Sequence, residues 1–216
     1  LADAGAGMVA MSEELAIQPP PEVRVLTPAD IVRLRTHHPV MDYADTAADD
    51  PAFLIYTSGT TGQPKGVLHA QRSAWGRRPM YQGWYDIRQD DVILHAGAFN
   101  WTYTLGVGLT DPWANGATAV LYNGPRDVTV WPMLMEKFRA TLFAAVPGLY
   151  RQILKYNDLR TFDLSSLRHG LTAGEALGSA LLEQWRTTTG KELFEALGMS
   201  ECSTYISSSP SVAVRP

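Results

Sequence analysis

The sequence predicts an α/β fold with a largely parallel sheet and flanking helices, and three observations predict it. From residue 51 onward, short apolar runs alternate with longer stretches of helical periodicity. The stretches between the runs are long enough for crossover helices, which favours parallel pairing with right-handed connections. Glycine- and hydroxyl-rich segments directly follow several of the apolar runs, where open α/β sheets place their ligands.

Taken in order, residues 1–50 read as a mixed, partly extended lead-in, and residues 51–216 as the core. Ala and Gly dominate the first ten positions, and Gln18 through Glu22 carries three prolines that make a stiff, non-helical spacer. Thr27 before Pro28 reads as an N-cap with proline at the first helical position, starting a short helix through about Arg35. His37 and His38 adjoin in a loop, but no third ligand lies at useful spacing, so they are not read as a metal site. Strands are expected at Ala52–Tyr56, Val92–Ala96, Ala117–Tyr122, Leu142–Val146, His169–Thr172 and Leu193–Leu197. The first of these reads as a buried strand. Helices are expected near 69–83, 103–113, 129–139, 147–156 and 176–189. The last has Leu177, Ala180, Leu181, Leu182 and Trp185 at helical spacing and Gly190 just past its end.

The segment Tyr56 through Gly66, YTSGTTGQPKG, is the richest in chemistry. Its glycines let successive N–H groups turn inward as an anion-binding nest. Thr57, Ser58, Thr60 and Thr61 add donors, and Lys65 adds a mobile positive charge. A solvated turn has the same composition, so the inventory alone leaves both readings open. It is not a Walker A loop, because Pro64 stands where the second glycine belongs and Gly66 follows Lys65 rather than preceding it.

Two further segments follow strands. Thr172 through Leu177 (TAGEAL) places Gly174 and Glu175 between a strand and a helix, where an acidic residue also suits the helix dipole. Leu197-Gly198-Met199-Ser200-Glu201 supplies a hydroxyl and a carboxylate. After the second expected strand, Phe99, Asn100, Trp101 and Tyr103 form an aromatic cluster that reads equally as a slot wall or as core.

The full string at 56–66 resembles the signature loop of the adenylate-forming superfamily, in its acyl-CoA synthetase (acid–thiol ligase) branch, without a departure in residue order. The 174–176 segment resembles that family's adenine-pocket element, and 197–201 its Tyr-Gly-x-Thr-Glu element, with Leu197 for the aromatic and Ser200 for threonine. The resemblance implies a partial large domain of such an enzyme. It implies ATP held by Thr57, Ser58, Gly59, Thr60, Thr61, Gly62 and Lys65, its adenine along Gly174, Glu175 and Ala176, with Leu197, Gly198 and Met199 also on the nucleotide and the Ser200 hydroxyl near the α-phosphate. The implied catalytic set is Lys65, Thr57, Ser200 and Glu201, with Mg2+ on Glu201 and Thr57 and the acid against Phe99, Asn100, Trp101 and Gly198. Coenzyme A is the implied co-substrate, and the acid is expected to be small aromatic or short-to-medium aliphatic. The family often has histidine where Asn100 stands, so no acid–base role is expected there. The family pattern continues on both flanks of these residues, with a ribose-binding aspartate and a lid domain that are not located here. A central piece of a longer enzyme, weak or inactive by itself and prone to self-association, is therefore expected. A non-catalytic nucleotide-binding module and a structural domain of inherited fold are the alternatives.

Composition bounds the rest. In 216 residues 45% are apolar, and the net charge of −4 offers no basic footprint for nucleic acid. No apolar stretch reaches the ~20 residues of a membrane span. One cysteine, Cys202, excludes internal disulfides and suits a reducing, cytoplasmic setting. With no histidine nearby in sequence, it reads as a small buried residue rather than a nucleophile.

Overall fold

The computed structural model describes residues 3–12, 14–15, 17–37, 42–58, 62–125 and 127–212. Two compact units emerge, Leu1–Asp50 and Pro51–Pro216. In the first, β1 (Met8–Ala10) pairs in parallel with β2 (Arg24–Leu26), and α1 spans Pro28–His37. Thr27 caps α1: its Oγ1 accepts from the Asp30 amide at 3.2 Å, while Asp30 Oδ2 accepts from the Thr27 amide at 3.0 Å. This reciprocal box satisfies two donors that a helix start leaves free. His38, the second half of the histidine pair, lies outside the described residues. No metal-binding group of three or more His, Cys, Asp or Glu side chains occurs among those described.

The second unit holds a hairpin and a six-stranded sheet. The hairpin joins β3 (Pro51–Thr57) to β4 (Lys65–Ala70) in antiparallel register, Thr57 opposite Lys65. The expected buried strand of the parallel sheet at 52–56 is thus corrected: only Ile55 of β3 is buried, because the strand pairs with its own return arm. The helix expected from 69 begins only at 72, since β4 occupies the intervening residues. It is broken into α2 (Arg72–Gly76), α3 (Arg78–Met80) and a wider π-turn at Tyr81–Tyr85.

The sheet contains β5 (Val92–His95), β6 (Thr118–Val120), β7 (Leu142–Ala145), β8 (His169–Ala173), β9 (Glu192–Met199) and β10 (Ser203–Ser207), in the order β10-β9-β8-β7-β5-β6. All neighbours are parallel except β10 on β9. Chain direction across the sheet reverses between β5 and β7, the switch point beyond which ligands sit in such sheets. The crossovers are α4 (Thr102–Leu105) running through a π-turn into α5 (Asp111–Ala114), then α6 (Val130–Lys137), α7 (Pro147–Tyr156) and α8 (Ser179–Thr189). α7 matches its expected bounds because Pro147 sets its first turn.

Two apolar layers sandwich the sheet. Alternate residues of β7 serve each: Phe143 and Ala145 pack with Tyr150, Ile153, Leu181 and Trp185, while Leu142 and Ala144 pack with Trp84, Tyr103, Val107 and Phe194. β7 is therefore buried on both faces, as a central parallel strand must be. α8 begins three residues later than expected. Leu177 is buried ahead of it, and Ala180 points out to solvent. β10 was not foreseen. Gly198 and Met199, expected to follow the last strand, lie inside β9, and Ser200–Cys202 forms the turn of a β9–β10 hairpin. Cys202 is exposed in that turn, not buried as expected, because a hairpin tip faces solvent.

Candidate functional site

The carboxyl ends of β5, β8 and β9 converge on a cavity of about 50 Å³ lined by Trp101–Tyr103, Ala173, Gly174, Gly198–Ser200, Ser203 and Thr204. The sequence-predicted Gly174, Gly198, Met199, Ser200 and Trp101 thus meet in one place. Trp101 has an extended backbone just ahead of α4 and carries its indole over Gly174. A Cβ on Gly174 would stand 2.6 Å from the ring, and its φ of +93° also disfavours a side chain. Tyr103 meets the Trp101 ring edge-on at 5.5 Å and is itself buried in the core. Phe99 and Asn100 are exposed and do not line the cavity, so the wall expected of the aromatic cluster reduces to Trp101 and Tyr103.

Two side chains that sequence reasoning missed tie the segments together. His69 of β4 is buried, stacks on Phe53 at 4.5 Å and places Nε2 2.8 Å from the Ser200 carbonyl oxygen. A carbonyl only accepts, so the proton resides on Nε2. This bond draws the loop-bearing hairpin to the Ser200–Glu201 turn. Glu195 of β9 accepts from the Leu177 amide at 2.6 Å and so pins the loop that follows Gly174. An acid inside the otherwise apolar run Leu193–Leu197 was its only signal. Glu175 sits four residues before α8 rather than at its first turn, and pairs with Arg151 at 3.1 Å on the surface instead of with the helix dipole. Ala176 is exposed beside it.

At the loop itself, Thr57 and Lys65 face each other across the hairpin mouth. Thr57 is half-buried, while Ser58, Gly62 and Lys65 are exposed. Gly59, Thr60 and Thr61 lie outside the described residues. Leu197 and Met199 are exposed on β9. Gly198 permits the closest approach in the hairpin, since a Cβ there would stand 2.3 Å from the Ser203 carbonyl oxygen.

Below the cavity, burial pushes His95 down to about 3, so its imidazole is neutral, and both its ring nitrogens lack a partner among the described residues. Thr104 and Thr172 also keep buried hydroxyls without one. Glu201 presents an exposed carboxylate with no ion pair among the described residues. Such a donor set suits a hard divalent cation that takes one carboxylate from the protein and its remaining oxygens from phosphate and water; it does not suit a closed zinc site.

The cavity lies at the carboxyl end of the sheet, the side on which open α/β sheets bind their ligands. Comparison with known proteins sharpens this. The profile of the AMP-binding enzyme family matches residues 8–215, taking in most of the first unit as well as the second. The chain belongs to that family. It is 31% identical over 174 residues to the uncharacterized acyl–CoA ligase YtcI of Bacillus subtilis (strain 168), covering 80% of this chain and 33% of that relative. It is 30% identical over 188 residues to the 3-hydroxybenzoate–CoA ligase of Aromatoleum sp. (strain CIB), covering 84% and 36%. The solved anthranilate CoA ligase AuaEII, crystallised in complex with anthranoyl-AMP, superposes with a TM-score of 0.88 at 26% identity, covering 99% of this chain and 44% of that one. The chain spans about a third of the length of the curated relatives it matches.

Proposed function

We propose that this chain carries the ATP- and acid-binding part of an acid–CoA ligase. The observation that carries the reading is convergence. The Gly174 segment and the Gly198–Ser200 segment share one cavity, and His69 joins the loop-bearing hairpin to Ser200. The reaction has two halves. A substrate carboxylate attacks the α-phosphorus of ATP and pyrophosphate leaves. The thiol of coenzyme A then attacks the acyl carbon and AMP leaves.

Charge grows on phosphate oxygens in the first half, so catalysis is positioning plus preorganised positive potential. Thr57, Ser58, Thr60 and Thr61 and the amides around Gly59 and Gly62 donate to the phosphates, and Lys65 supplies the cation. Ser200 donates to the α-phosphate region. Glu201, with the Thr57 hydroxyl, would hold Mg2+, which when bound neutralises phosphate charge. Gly174, Glu175 and Ala176 present backbone to the adenine edge, while Leu197, Gly198 and Met199 form the opposite wall without an aromatic face. Ligand pockets are roughly 300–1,000 Å³, far more than the 50 Å³ here, so a substrate has to move the Trp101 indole off Gly174. Trp101 is 37% exposed and has solvent to turn into. The relatives named for 3-hydroxybenzoate and anthranilate support a small aromatic acid, with short-to-medium aliphatic acids next.

The test is Mg·ATP binding by calorimetry together with acid-dependent ATP–pyrophosphate exchange over a panel of aromatic and aliphatic acids. Saturable Mg·ATP binding that Lys65→Ala weakens is expected. A folded chain that binds no Mg·ATP overturns the reading, and binding without exchange for any acid leaves a nucleotide module in its place.

A further inference from the structure

The joint between α2 and α3 carries a charge cluster that the proposed reaction does not use. Arg77 caps the end of one helix and the start of the next, and only 11% of its side chain is exposed. Its Nε donates to Asp111 Oδ1 at 2.8 Å, and its Nη2 donates to Asp111 Oδ2 at 2.5 Å and to the Tyr85 hydroxyl at 3.0 Å. Tyr85 in turn donates to Asp111 Oδ2 at 2.8 Å. The remaining arm, Nη1, reaches 126 positions along the chain and donates to Ser203 Oγ. Burial opposes the charge on Arg77, but Tyr85 and Asp111 outweigh it and hold the guanidinium protonated. Gly106 makes room, since a Cβ there would overlap the guanidinium.

Ser203 is the receiving end, and its backbone is unusual. Its φ of 59° lies in the left-handed region, where a serine persists only if its surroundings hold it. It closes the turn that carries Ser200 and Glu201, opposite Met199 in the register. His69 holds the same turn through the Ser200 carbonyl. A buried ion pair is a poor device for stability alone, because desolvation offsets most of its attraction. A rigid guanidinium fork, however, sets the place of an acceptor well.

We infer that Arg77, braced by Asp111 and Tyr85, is a positioning residue that fixes Ser203 in its left-handed conformation and thereby aims Ser200 and Glu201 at the Mg·ATP phosphates. The aiming half rests on the ligase reading above; the anchoring half does not.

The experiment therefore has two arms on the 216-residue chain. Amide hydrogen exchange reads the 198–204 segment without nucleotide, and calorimetry reads Mg·ATP affinity across a magnesium series. Ser203→Ala removes only the acceptor and leaves the Arg77–Asp111 pair whole, so it carries the test even if Arg77→Lys unfolds. A charge-assisted hydrogen bond lost should speed exchange in 198–204 roughly tenfold or more, with exchange in β7 and α7 unchanged. Mg·ATP should bind roughly tenfold more weakly, with the magnesium requirement raised. Unchanged exchange in a folded Ser203→Ala chain overturns the anchor. Faster exchange with unchanged Mg·ATP affinity overturns the aiming. An unaltered chain that binds no Mg·ATP counts against the ligase reading, while the exchange arm still decides the anchor.

Discussion

The two ends of the parallel sheet are built on opposite rules. At the amino end, the charged and polar side chains of one cluster engage one another and the backbone. Arg168 donates from Nη2 to Asp91 at 2.7 Å and from Nη1 to Asp86 at 2.8 Å. Thr141 donates to the same Asp91 carboxylate at 2.6 Å, and His169 meets the Tyr85 carbonyl oxygen at 2.9 Å. At the carboxyl end His95, Thr104 and Thr172 are buried with polar atoms unengaged, and Glu201 stands open. At one end polar groups hold strands together; at the other the His95, Thr104 and Thr172 side chains have no hydrogen-bond partner among the described residues. That division agrees with the proposed site at the carboxyl end.

The comparison breaks most forcefully at the amino end. Arg168→Met would strand the Asp91 carboxylate, which is 2% exposed, and removing one partner of a buried pair costs about 3–5 kcal/mol. Urea unfolding should show that loss.

Acid separates the ends next. Burial lowers His95 to about 3; burial, then the Arg168 charge, lowers His169 to about 4. Both folded values lie below the ordinary value of about 6.5, so the unfolded chain binds more protons between them. The stability these neutral rings contribute is complete above about pH 6.5 and is lost as pH falls toward the folded values. His95→Gln should flatten that decline in a melting-temperature series more than His169→Gln does, because the depression is larger at His95. Burial raises Asp91, but Arg168, Thr141 and the Arg88 amide more than offset it. With its folded value lowered, its stabilisation is present above the ordinary carboxylate value of about 3.9 and fails below it.

At the carboxyl end the effects fall on binding instead. Lys65→Ala should weaken Mg·ATP roughly 10–100-fold while the unfolding midpoint barely moves; equal loss of both would erase the distinction between the ends. Trp101→Ala should broaden the acids accepted in exchange, whereas an unchanged acid profile with lowered stability would mark the indole as core. The smallest effect belongs to Glu175→Gln. Its pair with Arg151 is half-exposed on both sides and should contribute no more than about 1 kcal/mol by thermal melts.

Much of the sheet was legible in the sequence because β5, β7 and β8 are buried on both faces and alternate with helices of clear periodicity. β3 was misread for the same reason. Phe53-Leu54-Ile55 is an apolar run like the others, and no local signal says that its partner is the strand seven residues on rather than a neighbour in the main sheet. The motifs at Gly174 and Gly198–Glu201 were readable from resemblance, and the structure brings them to one cavity. The contacts that position them were not readable. His69 and Ser200 stand 131 positions apart, and nothing local to either residue announces the other. Cys202 was misplaced because β10 was missed: without a returning strand, its turn could not be recognised as a tip.

The close contact of the Trp101 ring with Gly174 has an energetic consequence. On the proposed reading the indole is a tethered competitor, present at a concentration set by the chain itself rather than by the solution. A flat ligand binds only the molecules in which the ring has swung away, so its apparent affinity is the intrinsic one scaled by that fraction. Substitutions that bias the ring outward would tighten binding without adding a single contact to the ligand.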